Sequence, residues 1–270
     1  MWVAESRIAQ STKASIYYEV YGNGPCVIMI PGGFETHVCF YKNVSDFVQS
    51  GYTVITTNLR GHFQSPCKQG DLSFRYHADD IQAVLDQEGI ERAALLGWSM
   101  GGFGATRLAT FNSERVAALV LMGSTAGVWS DQNYANNGVA IDTVMSAVSQ
   151  GGPWPFDMNQ ENATDKFLRR QLQMLHSDDG FLPAPVVLLP MMMDKAIWLT
   201  PDQLTSFNTP TLLVGGDTDS FLPAGFQRHL AEILPGAELS VFQNAGHSPH
   251  WEEPAEFNRT TIAWLKSKGW

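Results

Sequence analysis

A serine, an acid and a histidine follow one another along the chain, each set among glycines. The first stands in Gly97-Trp98-Ser99-Met100-Gly101-Gly102. Residues 93–96 before it are apolar and read as a strand, and residues 100–111 after it read as a helix. A G-x-S-x-G at a strand-to-helix junction makes a turn so tight that larger side chains at Gly97 and Gly101 would collide with backbone, which leaves the hydroxyl exposed above the sheet. The N-terminal dipole of the following helix favours negative charge developing there. Such a serine can attack a carbonyl, provided that a base takes its proton and a carboxylate orients the base.

The same pentapeptide arises by chance, and glycine-rich turns also cradle dinucleotides. A dinucleotide fingerprint needs G-x-G-x-x-G after a strand. Here Gly22-Asn23-Gly24 precedes its strand, and Ser99 stands at the second glycine position after Leu96. That reading fails.

Two later loops supply the missing groups. Gly215-Gly216-Asp217-Thr218-Asp219-Ser220-Phe221-Leu222-Pro223 follows a strand at 211–214, and Asn244-Ala245-Gly246-His247-Ser248-Pro249-His250-Trp251-Glu252-Glu253-Pro254 follows one at 238–242. Both lie at carboxyl ends of strands, where open α/β sheets place their sites. Asp217 and Asp219 compete for the role of acid. Asp217 sits closer to the strand, but an Asp there also serves as a turn former. His250 competes with His247 as base, yet lacks a preceding glycine and reads equally as a packed loop residue. His247 and His250 have H-x-x-H spacing without a third ligand, so no metal site and no cofactor are expected.

The elements that must position these groups alternate regularly. Strands are expected at 14–21, 26–30, 53–57, 93–96, 116–122, 211–214 and 238–242, with helices at 40–50, 78–88, 100–111, 224–234 and 256–266. This alternation is the pattern of an α/β fold around a mostly parallel sheet. Between about 125 and 207 it stops: Ile141, Val144, Met145 and Val148 mark one helical face, Leu168, Leu172 and Leu175 another. The expected division is a core of residues 1–124 and 208–270 with a helical cap inserted at 125–207. Six of the ten methionines (Met145, Met158, Met174, Met191, Met192, Met193) fall in the insert, either filling a small core or lining an adaptable apolar pocket.

Composition sets the outer bounds. The chain has 270 residues, 44% hydrophobic and 16% charged, long enough to bury a core without staples. A net charge of −10 with no basic run argues against nucleic-acid or anionic-membrane partners. No apolar stretch approaches the ~20 residues of a membrane span. Charges at Glu5, Arg7 and Lys13 interrupt the apolar core a secretory signal would need, and three unpaired cysteines fit a reducing cytoplasm. A soluble small-molecule enzyme or binder, monomeric or homodimeric, is the expectation.

Taken together, the three loops and their order make the chain resemble the α/β-hydrolase superfamily, and most of all its small cap-bearing esterase, lactonase and haloperoxidase-like members. The resemblance runs from about residue 14 to 266. It implies Ser99 as nucleophile, Asp219 as acid and His247 as base. It also implies an oxyanion hole formed by the backbone N–H groups of Met100 and of Gly33, in Pro31-Gly32-Gly33-Phe34-Glu35. The family usually has His-Gly-x there, with Pro31 replacing the histidine in this chain. Asn58-Leu59-Arg60-Gly61-His62-Phe63-Gln64-Ser65 resembles the family's D-x-R-G-H-G-x-S, with Asn58 for Asp and Phe63 for Gly.

The implied reaction is hydrolysis of a small, partly apolar, uncharged ester or lactone through an acyl group on Ser99. Candidate pocket residues are Phe34, Trp98, Met122, Trp129, Trp154 and Trp198, with Met191, Met192 and Met193; each aromatic has ordinary core packing as its alternative. C–C bond hydrolysis, a cofactor-free lyase or cyclase step, and a non-catalytic small-molecule receptor use the same fold.

Overall fold

The computed structural model describes residues 4–33, 35–128, 198–219 and 222–270. Eight strands form one sheet: β1 (Glu5–Ser11), β2 (Ala14–Gly22), β3 (Cys26–Ile30), β4 (Thr53–Thr57), β5 (Ala93–Trp98), β6 (Val116–Met122), β7 (Thr211–Gly216) and β8 (Glu238–Phe242). Their order is β1-β2-β4-β3-β5-β6-β7-β8. β2 is antiparallel to both β1 and β4, and every other pairing is parallel. The fold is that of an α/β hydrolase, with a mostly parallel sheet flanked by helices.

The strands of the parallel region are buried on both faces, so they read as continuous apolar runs. Cys26, Ile28 and Ile30 of β3 pack toward one side, Val27 and Met29 toward the other. On the first side lie α2 (His77–Gln87), α3 (Gly101–Phe111) and α5 (Ala224–Ile233), through Ile81, Val84, Leu85, Leu108, Phe226 and Leu230. On the second lie α1 (Tyr41–Gln49) and α7 (Pro254–Ser267), through Val44, Phe47, Phe257, Ile262 and Leu265. After β3 the chain crosses by α1 to β4 on one side, then by α2 to β5 on the other. The strand order therefore reverses between β3 and β5, and a crevice opens beyond their carboxyl ends.

Three short elements escape the sequence pattern. β1 is an edge strand whose residues are mostly exposed, with only Ala9 buried, so it lacks clean alternation. The four-residue α6 (Pro249–Glu252) and five-residue α4 (Pro201–Thr205) are too short to show periodicity. α4 starts with a capping box, the Thr200 hydroxyl accepting from Gln203 N–H and the Gln203 amide oxygen accepting from Thr200 N–H. It lies inside the expected insert, most of which (residues 129–197) falls outside the described residues. The two ends of that segment meet, because Leu199 N–H donates to Gly127 O at 2.9 Å.

One buried ion pair secures the loop after β4. Arg60 is wholly buried and grips Asp80 of α2 with two hydrogen bonds, Nε to Oδ2 at 2.8 Å and Nη2 to Oδ1 at 2.6 Å. Its remaining N–H groups donate to the carbonyls of Thr12, Asp71 and Tyr76. Truncating Asp80→Ala strands that cation, and the expected loss of stability is roughly 3–5 kcal/mol, read from the urea midpoint.

Two buried imidazoles give a second expectation. Burial pushes His62 down to about 4 and His77 well below its ordinary range, so both are neutral in the folded chain. The unfolded chain takes up these protons below about pH 6.5. Stability present at neutral pH is therefore lost as pH falls from about 6.5 toward 4. Urea midpoints measured across that window should fall steadily; a flat profile would contradict the burial of neutral rings.

Candidate active site

The carboxyl ends of β3, β5, β7 and β8 carry the loops in which the sequence places its reactive groups. At the end of β5 the chain turns directly into α3. A Cβ on Gly97 would lie 2.6 Å from Gly102 Cα, and one on Gly101 only 2.4 Å from Ile30 O. Neither position accepts a side chain. Ser99, between them, is forced to φ +49°, a conformation that costs a non-glycine residue of order 1–3 kcal/mol. Its N–H donates to Met122 O of the neighbouring strand at 2.8 Å, and its side chain retains partial exposure.

His247 comes from the loop after β8, with its ring against the backbone of Gly123, the residue after Met122. Its Nδ1 lies 2.9 Å from Asp219 Oδ2, and both side chains are buried. The other carboxylate oxygen, Oδ1, accepts from Leu222 N–H at 2.9 Å, which orients the acid. The competition within the loop after β7 is thereby decided geometrically. Asp217 is exposed, with its N–H donating to Phe242 O, while Asp219 meets the histidine.

His250 has a packing environment instead. It is fully buried, 4.8 Å from the Trp98 ring, 5.0 Å from Phe40 and 6.1 Å from Phe257. Among the described residues no cluster of three or more His, Cys, Asp or Glu is placed to hold a metal ion.

The backbone carrying His247 is clamped on three sides. Glu252 Oε2 accepts from Gly246 N–H at 2.8 Å, and its Oε1 accepts from Ser248 N–H at 3.0 Å. The carbonyl of His247 itself accepts from Trp98 Nε1 at 2.9 Å. Sequence reasoning assigns Glu252 no role, although its place in G-H-x-x-x-x-E-x-P is the signal that singles it out. It treats Trp98 as a pocket wall, whereas the structure buries its ring against Gly32, His247 and His250.

Gly33 lies beside Met100, since a Cβ there would fall 2.1 Å from Met100 Sδ. Among the described residues neither the Gly33 nor the Met100 N–H donates to a backbone carbonyl. Met122 is fully buried. Trp198 is half-buried and edge-on to Phe103 at 5.8 Å, and Phe103 stacks on Phe74 at 4.5 Å. Of the remaining expected pocket residues, Phe34, Trp129, Trp154, Met191, Met192 and Met193 lie outside the described residues.

The two departures in the loop after β4 resolve differently. Phe63 holds φ +46°, the left-handed conformation that favours the glycine it replaces. Asn58 is buried and its Oδ1 accepts from His37 N–H at 2.8 Å, so it ties this loop to the one after β3.

Three substitutions test the assembly. Asp219→Asn, which offers His247 a donor or leaves it in the wrong tautomer, should lower turnover by about four orders of magnitude. Asp217→Asn should leave it within about threefold. Trp98→Phe keeps the ring but strands the His247 carbonyl, and should cost about 1–3 kcal/mol in a denaturation titration.

Comparison with known proteins follows the same lines. A 2-hydroxy-6-oxononadienedioate/2-hydroxy-6-oxononatrienedioate hydrolase of Comamonas testosteroni is 27% identical over 266 residues, 90% of this chain and 88% of that protein. An esterase of Exiguobacterium antarcticum superposes with a TM-score of 0.77 at 23% identity, over 97% of this chain and all of that one. Est816, an N-acyl homoserine lactone degrading enzyme, gives a TM-score of 0.72 at 26% identity, over 95% and 99% of the two chains. Residues 27–260 match the profile of the alpha/beta hydrolase family, and the chain belongs to that family.

Proposed function

We propose that this hydrolase-family chain is a serine hydrolase that cleaves a small, partly apolar, uncharged carboxylic ester or lactone through an acyl group on Ser99. The observation that carries the reading is the pairing of His247 Nδ1 with Asp219 Oδ2 in loops beside the strained Ser99. A carboxylate only accepts, so Nδ1 carries the proton and Nε2 presents its lone pair. Ser99 Oγ attacks the carbonyl carbon as its proton passes to Nε2. The oxyanion rests on the Gly33 and Met100 N–H groups, and Asp219 stabilises the imidazolium. Collapse breaks the bond to the alcohol, which leaves with the proton from Nε2. Water, deprotonated by the same nitrogen, then releases the acid.

The substrate class is supported by the partners described for these groups: His247, Trp98 and Asp219 contact one another, the His250 ring and the Leu222 N–H. Arg60, wholly buried, is paired with Asp80. The likeness to the lactone-degrading Est816 supports the same class. C–C bond hydrolysis is the second reading, favoured by the similarity to the Comamonas hydrolase along nine-tenths of the chain. That protein's named substrate is a dicarboxylate, which calls for cationic groups at the site.

The test is turnover of 4-nitrophenyl butyrate by the wild type and Ser99→Ala. Loss of about six orders of magnitude in kcat is expected on substitution, together with labelling of Ser99 in the wild type by a fluorophosphonate. Activity that survives Ser99→Ala overturns the reading. A labelled Ser99 without ester turnover, coupled to cleavage of a 2-hydroxy-6-oxodienoate followed by loss of its conjugated absorbance, selects the C–C reading. An unlabelled, inactive chain selects a receptor.

A further inference from the structure

A second buried polar chain lies outside the site, on the far side of the loop that carries Gly33. His37 follows Gly33 by four positions and is buried. Between them, Glu35 N–H closes a turn onto Gly32 O at 3.4 Å. The His37 backbone N–H donates to Asn58 Oδ1 at 2.8 Å, and its ring Nδ1 lies 2.9 Å from the same oxygen. On the opposite edge of the ring, Nε2 lies 3.4 Å from Glu19 Oε1 of β2.

The proton positions follow from these partners. A backbone N–H can only donate, so the atom of Asn58 facing it is the carbonyl oxygen and not the amide nitrogen. Asn58 Nδ2 then donates to Gln64 Oε1 at 2.7 Å. Nδ1 of His37, facing that same oxygen, must carry a proton. Nε2 faces a carboxylate that already accepts from the hydroxyls of Tyr17, at 2.7 Å, and Tyr21. Burial by itself would raise the Glu19 carboxyl, but the hydrogen bonds and charge of His37, with the two tyrosines, outweigh it and bring Glu19 down to about 2. The His37 ring is thus held at both edges, by Asn58 at Nδ1 and by Glu19, which also accepts from Tyr17 and Tyr21, at Nε2.

We propose that His37, held between Glu19 and Asn58, is a positioning residue that fixes the loop bearing the Gly33 N–H, so that the oxyanion hole is set by a buried side-chain contact to β2. The inference rests on the proposed roles of Ser99 and Gly33. It also gives Asn58 its purpose. One oxygen, Asn58 Oδ1, faces both the backbone N–H and the ring Nδ1 of His37. A buried pair of this kind contributes little net stability, and its retention is better explained by the geometry it imposes.

Three measurements test this. In the folded wild type, the nitrogen-15 resonances of the His37 ring should report a proton on Nδ1, which faces Asn58 Oδ1; an unprotonated Nδ1 overturns the proposal, whatever the enzyme's activity. Glu19→Gln, which keeps the shape and an acceptor for the tyrosines, should lower kcat for the nitrophenyl ester roughly tenfold to a hundredfold, less than deleting an oxyanion donor outright. Its KM should stay within about threefold, because ground-state binding does not use the hole. Asn58→Leu should show the same kcat loss and Asn58→Asp should recover most of it. Equal losses in Asn58→Leu and Asn58→Asp, or a change in KM alone, overturn the positioning role. A wild type without ester turnover would defeat the reading of Ser99 and leave the ring protonation to decide this one.

Discussion

Everything at this site depends on how closely the start of α3 approaches the ends of β3 and β5. Backbone lies against backbone there, with no space for a Cβ at Gly97 or Gly101. That contact drives Ser99 to positive φ and aims the helix N-terminus and the first helical N–H groups at the space beyond the sheet. It also brings the loop after β3 alongside Met100, so two N–H groups from distant parts of the chain can face one point. The strain at Ser99 is a local cost, and the surrounding apolar layers, with strands buried on both faces, keep it in place.

The histidine side of the site is built mainly by hydrogen bonds. The loop between β8 and α6 turns at Asn244, φ +59°, and is fixed at three consecutive residues: Gly246 and Ser248 donate to Glu252, and His247 accepts from Trp98. Trp98 neighbours Ser99 in sequence, so the same residue that precedes the serine also holds the backbone of His247. Relative placement of the two groups thus passes through one rigid indole rather than through a long path across the fold.

A buried ion pair, Arg60 with Asp80, and a buried contact of His37 with Glu19 flank this arrangement. Each joins a loop at the carboxyl end of the sheet to an element packed beneath or beside it. Loops are otherwise the most deformable part of an α/β fold. Directional charge-assisted hydrogen bonds restrict them where apolar packing, being non-directional, would allow sliding. The fold is shared by proteins named for C–C hydrolysis, ester cleavage and lactone degradation, so chemistry is decided by such details and not by the architecture.

The amino-acid sequence alone determined the alternation of strands and helices, because strands buried on both faces must be apolar throughout and helices packed on one side must repeat near 3.6 residues. β3, β4, β6 and β8 begin and end where that pattern says. It also determined which serine could be strained, since only glycines tolerate the contacts on either side. β1, α4 and α6 were not legible, being too exposed or too short for periodicity to register. Local pattern alone left Asp217 and Asp219 open, two residues apart in one loop; the family resemblance implied Asp219, and the turn after β7 points that carboxylate at the ring carried by the loop after β8. The roles of Trp98, Glu252 and Asn58 were likewise decided only in three dimensions. Each acts through a hydrogen bond whose partner's position no local pattern records: Trp98 with a residue 149 positions away in the chain, Asn58 with one 21 away, and Glu252 through the curl of its own loop.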